Sequence, residues 1–299
     1  MTVGIFPIRA RLLRPARDGA ILACVGLAVA HLFGLTSTGV DAHTYWSANA
    51  LHPYSATAPA AADAYFYSPA FTQILGPIHA LPWEWFIAIW TLLLTAAIVW
   101  QAGLWTAFAL MLVPVFVDLT VGNIHLLLAA AIILGFRWPW TWSFVLLTKI
   151  TPGIGLLWFA VRREWRSLGI ALAATAIVAG ASFAIAPSLW WQWVDVLRAA
   201  SGAPSPEFVV PIALPIRLIA AAIIVTWGAL TDRRWTVPLA SAVALPVLWI
   251  NGFAMLIAII PLLPRVMGPT PASCWPASTR TSSGGEGLRL RGGRFLKVP

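Results

Sequence analysis

The chain has 299 residues, of which 60% are hydrophobic and only 10% are charged, against roughly a quarter charged in an average soluble domain. That balance excludes an ordinary water-soluble globule: the apolar runs are too many and too long to bury against one another, so part of the surface must face lipid. The formal charge of +9 does not point to nucleic acid, because the arginines sit at the edges of apolar runs and form no basic stripe interleaved with aromatics.

In chain order, residues 1–19 form a basic N-terminus with Arg9, Arg11, Arg14 and Arg17. Cationic segments stay cytoplasmic, so the first apolar run carries the chain outward. A spanning helix needs about 20 mostly apolar residues, and approximate spans are expected at 20–36, 84–101, 104–119, 123–137, 168–186, 209–230, 235–250 and 251–264. The first run has the length and flanking arginines of a secretory signal, but no clean small-x-small cleavage site precedes Asp41 and it is read as an anchor. Residues 37–83 then form an outer loop, and the next three spans return the chain to Arg137. Tryptophans such as Trp83, Trp100, Trp138 and Trp235 fall at run boundaries, as interfacial belts do.

The stretch 138–161 starts beside Arg137 and ends at Arg162-Arg163-Glu164-Trp165-Arg166, so both ends belong on the cytoplasmic face. Halved at Lys149-Ile150-Thr151-Pro152-Gly153, it gives two arms of about 10 residues, each about 15 Å long and too short to cross. A re-entrant helical hairpin with Lys149 at its tip is expected; a single ordinary crossing is the alternative, and it would spread the later arginines unevenly over both faces. Span 168–186 exits, an outer loop 187–208 follows, and three further spans bring the chain inside. Residues 265–299, rich in Pro, Ser, Gly and Arg, are expected to be a disordered cytoplasmic tail. Cys24 lies in an apolar run and Cys274 in the tail, so no disulfide is expected. Fold class is thus all-α and multi-spanning, with residues 20–264 as the membrane domain.

Chemistry concentrates in a few places. Asp41 follows the first span and precedes an amphipathic stretch, 43–51; it can serve as a general base at the interface or, equally well on spacing alone, as a helix N-cap. Lys149 is an ionisable group at depth, which is a functional signal by default, with snorkelling as the structural alternative. Asp118, Asn123 and His125 surround Gly122 at a turn between spans, and for Asp118 the structural reading is the stronger. Arg217, about two turns into its span, can meet a phosphate or snorkel outward. His43 and His52 lack a third ligand at metal-binding spacing, so no metal site is expected. Neither a Gly-x-Gly-x-x-Gly after a strand nor a Walker motif is present, so no nucleotide cofactor is expected.

Three elements, taken in order, resemble the polyprenol-phosphate-mannose-dependent mannosyltransferases of glycosyltransferase family 87, which have the GT-C membrane fold: Asp41-x-x-x-Tyr45 outside the first span, Phe66-Tyr67-Ser68-Pro69 before the second, and Lys149-Ile150-Thr151-Pro152 followed by Arg162-Arg163-x-Trp165-Arg166. The resemblance covers about residues 20–260. It implies a GT-C-like helical bundle in the plasma membrane, with its active site on the extracytoplasmic face. It implies Asp41 as catalytic base, Lys149 and Arg217 at the donor phosphate, and His43, Tyr45, Tyr67, Asn123 and His125 lining the substrates. The implied partners are a polyprenyl-phosphate sugar donor, a glycolipid acceptor and membrane lipids. The chain departs from the family where Gly122-Asn123-Ile124-His125 stands in place of Gly-Gln-x-Asn. The competing readings are a lipid transporter or flippase, for which broken helices are equally apt, and a truncated, inactive member.

Overall fold

The computed structural model describes residues 5–48, 52–54, 65–201 and 211–263, the first seven of these and residue 201 by backbone alone. The expected tail at 265–299, most of the segment 49–64 and residues 202–208 of the 187–208 loop lie outside the described residues. Those described are helical, without strands. Helix α1 (Ile5–Leu32) runs straight from the arginine-rich start into the first apolar run. The short α2 (Val40–Ser47) and α3 (Pro69–Leu75) follow, and α3 starts with Ser68 as N-cap and Pro69 in its first turn.

Helix α4 (Trp83–Ala102) passes through a 3₁₀ turn into α5 (Thr106–Met111), making one apolar segment, Trp83–Met111, with a mean hydropathy of 1.8. Separate spans at 84–101 and 104–119 were expected, and this corrects them. Gly103, at φ +56°, tightens the backbone by a turn without reversing it, and the interruption comes instead at Leu112, which is extended just ahead of Val113-Pro114. Beyond it, α6 (Val113–Val121) and α7 (His125–Gly135) meet at an angle of 110°. Among the described residues, two helices are long and apolar enough to cross a membrane: this segment and α10 (Trp165–Ile185). A third joins them if the bent pair is one span.

Between these lie α8 (Trp142–Thr148) and α9 (Leu157–Val161), separated by an extended Lys149 and a 3₁₀ segment, Thr151–Leu156. The two arms fold back on each other: Gly153 packs on Leu146, and the Trp142 ring is wedged between Gly135 and Gly155, where any side chain would collide with it. The chain continues through α11 (Pro187–Ser201), α12 (Leu214–Leu230) and α13 (Thr236–Val243), then a 3₁₀ segment, Ile250–Ala258, and α14 (Ile259–Leu262). The expected spans at 235–250 and 251–264 therefore become helical pieces too short to cross singly.

Helix α10, at 1.5 Å per residue, is about 31 Å long, the thickness of a bilayer's hydrocarbon. It exposes Leu172, Ile177, Phe183 and Ile185, an arrangement suited to lipid and unfavourable in water. Its two ends differ in chemistry. Near its start, Arg162 pairs with Asp232 and donates to the Ala229 carbonyl, and Arg234 lies over the Phe136 ring. Near its finish, the Gln73 amide donates to the Ser182 carbonyl, and the Trp193 indole of α11 donates to the Phe66 carbonyl. Arginines gather at one end and the aromatic loop at the other.

Candidate functional site

The site forms where the tips of two broken helical elements meet under α2. Helix α6 ends at Gly122, whose φ of +74° is the left-handed conformation that favours glycine. The Gly122 carbonyl accepts from the Trp90 indole at 2.8 Å, which ties the turn to α4. A Cβ at Gly122 would stand 2.6 Å from the Ala42 methyl. Only glycine lets α2 settle this closely on the α6–α7 turn, and that approach brings Asp41 to Asn123.

Asp41 is not the N-cap of α2; that position is Gly39, at φ +102°. The Asp41 carboxylate turns toward the neighbouring element and accepts from the Asn123 side-chain amide at 2.7 Å. The orientation of that amide is fixed by its other end, because the Asn123 Oδ1 accepts from the Ile124 backbone N–H at 2.7 Å. Asp41 keeps partial exposure while Asn123 is buried. Burial raises the Asp41 pKa above the ordinary carboxylate value, and the Asn123 hydrogen bond and the charge of Lys149 pull it back in part.

Behind this pair runs a chain of three groups. Fully buried Asp118 meets the His125 Nδ1 at 2.8 Å, and the His125 Nε2 lies 2.8 Å from the Lys149 ammonium. The second Asp118 oxygen accepts from the Leu126 N–H at 3.2 Å, and the buried Asn251 lies close enough to favour the charged carboxylate. An ammonium only donates, so the His125 Nε2 must accept and its proton sits on Nδ1, facing Asp118. Lys149 itself caps the end of α8 and retains partial exposure. The Tyr67 ring centroid is 6.0 Å from its nitrogen, and the Tyr67 hydroxyl is 3.0 Å from that of Tyr45. Burial pushes both phenols upward in pKa, so they are hydroxyl hydrogen-bonding groups and not bases.

An approachable carboxylate and an approachable ammonium, linked through buried side chains and backed by two neutral hydroxyls, suit transfer of a group that leaves as an anion. Comparison with known proteins gives the class of reaction. The profile of glycosyltransferase family 87 matches residues 65–274, more than half of the chain. The chain belongs to glycosyltransferase family 87. It is therefore a glycosyltransferase, with a sugar donor and an acceptor, and its apolar helices agree with the membrane setting of that family. No curated protein and no solved structure gives a significant match.

Within this family 87 glycosyltransferase, Tyr67, Asn123, His125, Lys149 and Arg217 fall inside the matched region, whereas Asp41, His43 and Tyr45 precede it. The fold brings Asp41, Tyr45, Tyr67, Asn123, His125 and Lys149 together. It does not bring Arg217 to them. The Arg217 guanidinium donates to the carbonyls of Ile212, Val243, Leu245 and Pro246, at 2.6 to 3.1 Å. Arg217 thus caps the end of α13 and braces the loop beyond it, with four of its donor contacts taken by backbone. His43 is exposed on the flank, its ring 5.0 Å from Trp83 and 5.5 Å from Trp46. Among the described residues no three His, Cys, Asp or Glu side chains gather as metal ligands. The full burial of Asp118 agrees with the structural reading of it, and the buried Asn251 beside it was not anticipated. The signal for Asp118 was its position seven residues before His125, across a glycine turn that brings the two side chains together.

Proposed function

We propose that this glycosyltransferase moves mannose from a polyprenyl phosphate to a hydroxyl of a glycolipid acceptor, with inversion to an α-mannoside. The observation that carries the proposal is the pairing of an approachable carboxylate, Asp41, with an approachable ammonium, Lys149, each within the other's electrostatic field. Asp41 takes the proton from the acceptor hydroxyl. The resulting oxygen forms its bond to the anomeric carbon as the bond from that carbon to the phosphate oxygen breaks. The electron pair leaves with the polyprenyl phosphate, and Lys149 stabilises the growing charge. Tyr67, as a neutral and partly exposed hydroxyl, supplies a hydrogen bond to the sugar, and the buried Tyr45 behind it holds that hydroxyl in place.

The placement at a membrane follows the same reading. The arginines at the start of α10 lie on the cytoplasmic face, and the loops 37–83 and 187–208 lie outside at its other end. The hairpin 138–161 enters from the arginine side and carries Lys149 part-way through the bilayer, where irregular backbone is stable only against protein or a watery cavity. The active site then faces the extracytoplasmic side of the cell membrane. The full chain in nanodiscs, given radiolabelled polyprenyl-phosphate mannose and a lipid extract, is expected to label a glycolipid, and Asp41→Asn to reduce the rate by about 10² to 10⁴-fold. Transfer undiminished by Asp41→Asn would remove Asp41 as the base, and absence of transfer with mannose but transfer with another sugar would correct the donor.

A further inference from the structure

We infer that Asp118 and His125 are positioning residues for Lys149, holding its ammonium in place as a pre-formed anion-binding tip. The inference deepens the proposed function and rests on its placement of an anionic phosphate beside Lys149. A lysine side chain has four rotatable methylenes, and an ammonium at depth tends to swing toward water or to lose its proton. Here the side chain is tethered at its end. The His125 Nε2 accepts one of its three N–H bonds at 2.8 Å, and the imidazole is anchored at its other nitrogen by Asp118, also at 2.8 Å.

The anchor is itself immobile. Asp118 has no exposed surface, and its second oxygen is engaged by the Leu126 backbone N–H. Asp118 and His125 belong to the two helices that meet at 110°, so the bent backbone fixes their separation, and Lys149 arrives from a different broken element. The groups facing Lys149 are Asp41 from α2, Asp118 from α6, His125 from α7 and the Tyr67 ring from the aromatic loop. Of its three N–H donors one is held by His125, and two remain to meet a phosphate on the approachable side. The imidazole between Asp118 and Lys149 keeps carboxylate and ammonium apart. Direct contact would bind the ammonium in a closed ion pair; the spacer supplies charge compensation while leaving donors for the substrate.

The sequence provides a clean test, because Lys149 and Lys297 are its two lysines. In a Lys297→Arg background, acylation of Lys149 by a water-soluble amine reagent reports how freely its amine is presented, independent of turnover. With the full chain in nanodiscs at pH 7.5, Asp118→Asn is expected to speed Lys149 acylation at least threefold, since loss of the carboxylate both frees the side chain and favours the neutral amine. His125→Gln is expected to act in the same direction and serves if Asp118→Asn fails to fold; Asp118→Glu is expected to restore slow labelling in part. A polyprenyl monophosphate is expected to protect Lys149 in the parent chain and to protect it several-fold less well in His125→Gln. Labelling rates equal to or below the parent's in both variants would overturn the positioning role. Absence of protection in the parent, with faster labelling in the variants, would overturn the phosphate reading while supporting the brace.

Discussion

Two cations in apolar stretches, Lys149 and Arg217, carry the same signal in the sequence and have opposite surroundings in the fold. Arg217 is enclosed by backbone: four carbonyls from the entrance of α12 and from the end of α13 and its following loop take its donors. Lys149 is enclosed by side chains that themselves carry or relay charge, and its nitrogen keeps donors to spare. A cation saturated by carbonyls holds helices together. A cation tethered at one point, beside a carboxylate that remains approachable, is available to a ligand. The company of a buried charge, more than its depth, separates architecture from chemistry.

That contrast makes a paired prediction with the largest effects. Lys149→Met is expected to lower the transfer rate by about 10² to 10³-fold, the usual consequence of removing one transition-state electrostatic partner, with little change in the thermal unfolding midpoint followed by tryptophan fluorescence. Arg217→Met is expected to do the reverse: it strands carbonyls of which each unpaired buried one costs about 1–3 kcal/mol, so the midpoint falls by several degrees while the protein that remains folded keeps most of its specific activity. If Arg217→Met proves well folded and inactive, the contrast fails and the donor phosphate must be sought near α12.

A second test acts on the joint between α2 and the α6–α7 turn. Gly122→Ala puts a methyl where the Ala42 methyl already sits, 2.6 Å away, and does so at a positive φ that L residues avoid. Displacement of α2 by about 1 Å misplaces Asp41, and a rate loss of about 10 to 100-fold is expected. Ala42→Gly in the same chain opens the space again and should recover a good part of that loss, leaving only the backbone strain. Failure of Ala42→Gly to recover any activity would show that steric contact with α2 is not how Gly122 matters.

What was legible in the sequence follows from the range of the interactions involved. The break at Lys149 could be read because Thr151-Pro152-Gly153 punctuates it locally, and the helical, lipid-facing class could be read because composition and run length are local sums. The division between residues 101 and 104 does not hold, because the backbone absorbs Gly103 in one tightened turn. The carbonyl cage of Arg217 could not be read, since three of its four acceptors are backbone groups 26 to 29 residues away on α13 and beyond, and any sequence there offers carbonyls. Half of the Lys149 brace was within reach. Asp118 and His125 flank one glycine turn, but nothing local says that Lys149, 24 residues beyond His125, arrives at the free imidazole nitrogen.

The smallest predicted effect concerns Asn123, whose amide touches Asp41 directly. Burial raises the Asp41 pKa, and the Asn123 amide, by hydrogen bonding to the charged form, lowers it in part. A general base must be ionised to act, so the rate constant kcat/KM should rise with pH through an acid limb that lies above the ordinary carboxylate range. Asn123→Ala removes a donor that favours the carboxylate, which moves that limb to still higher pH. The variant should therefore approach the parent's rate at alkaline pH and fall progressively behind as pH drops, a pattern unlike the pH-independent deficit of a merely loosened fold. Because the Asn123 carbonyl oxygen also anchors the Ile124 N–H, Asn123→Asp provides the sharper comparison. It keeps an acceptor for Ile124 but sets a second carboxylate against Asp41, and like charges at hydrogen-bonding distance raise each other's pKa. Its acid limb should lie beyond that of Asn123→Ala; limbs that coincide with the parent's in both variants would mean that the titration seen in kcat/KM does not belong to Asp41.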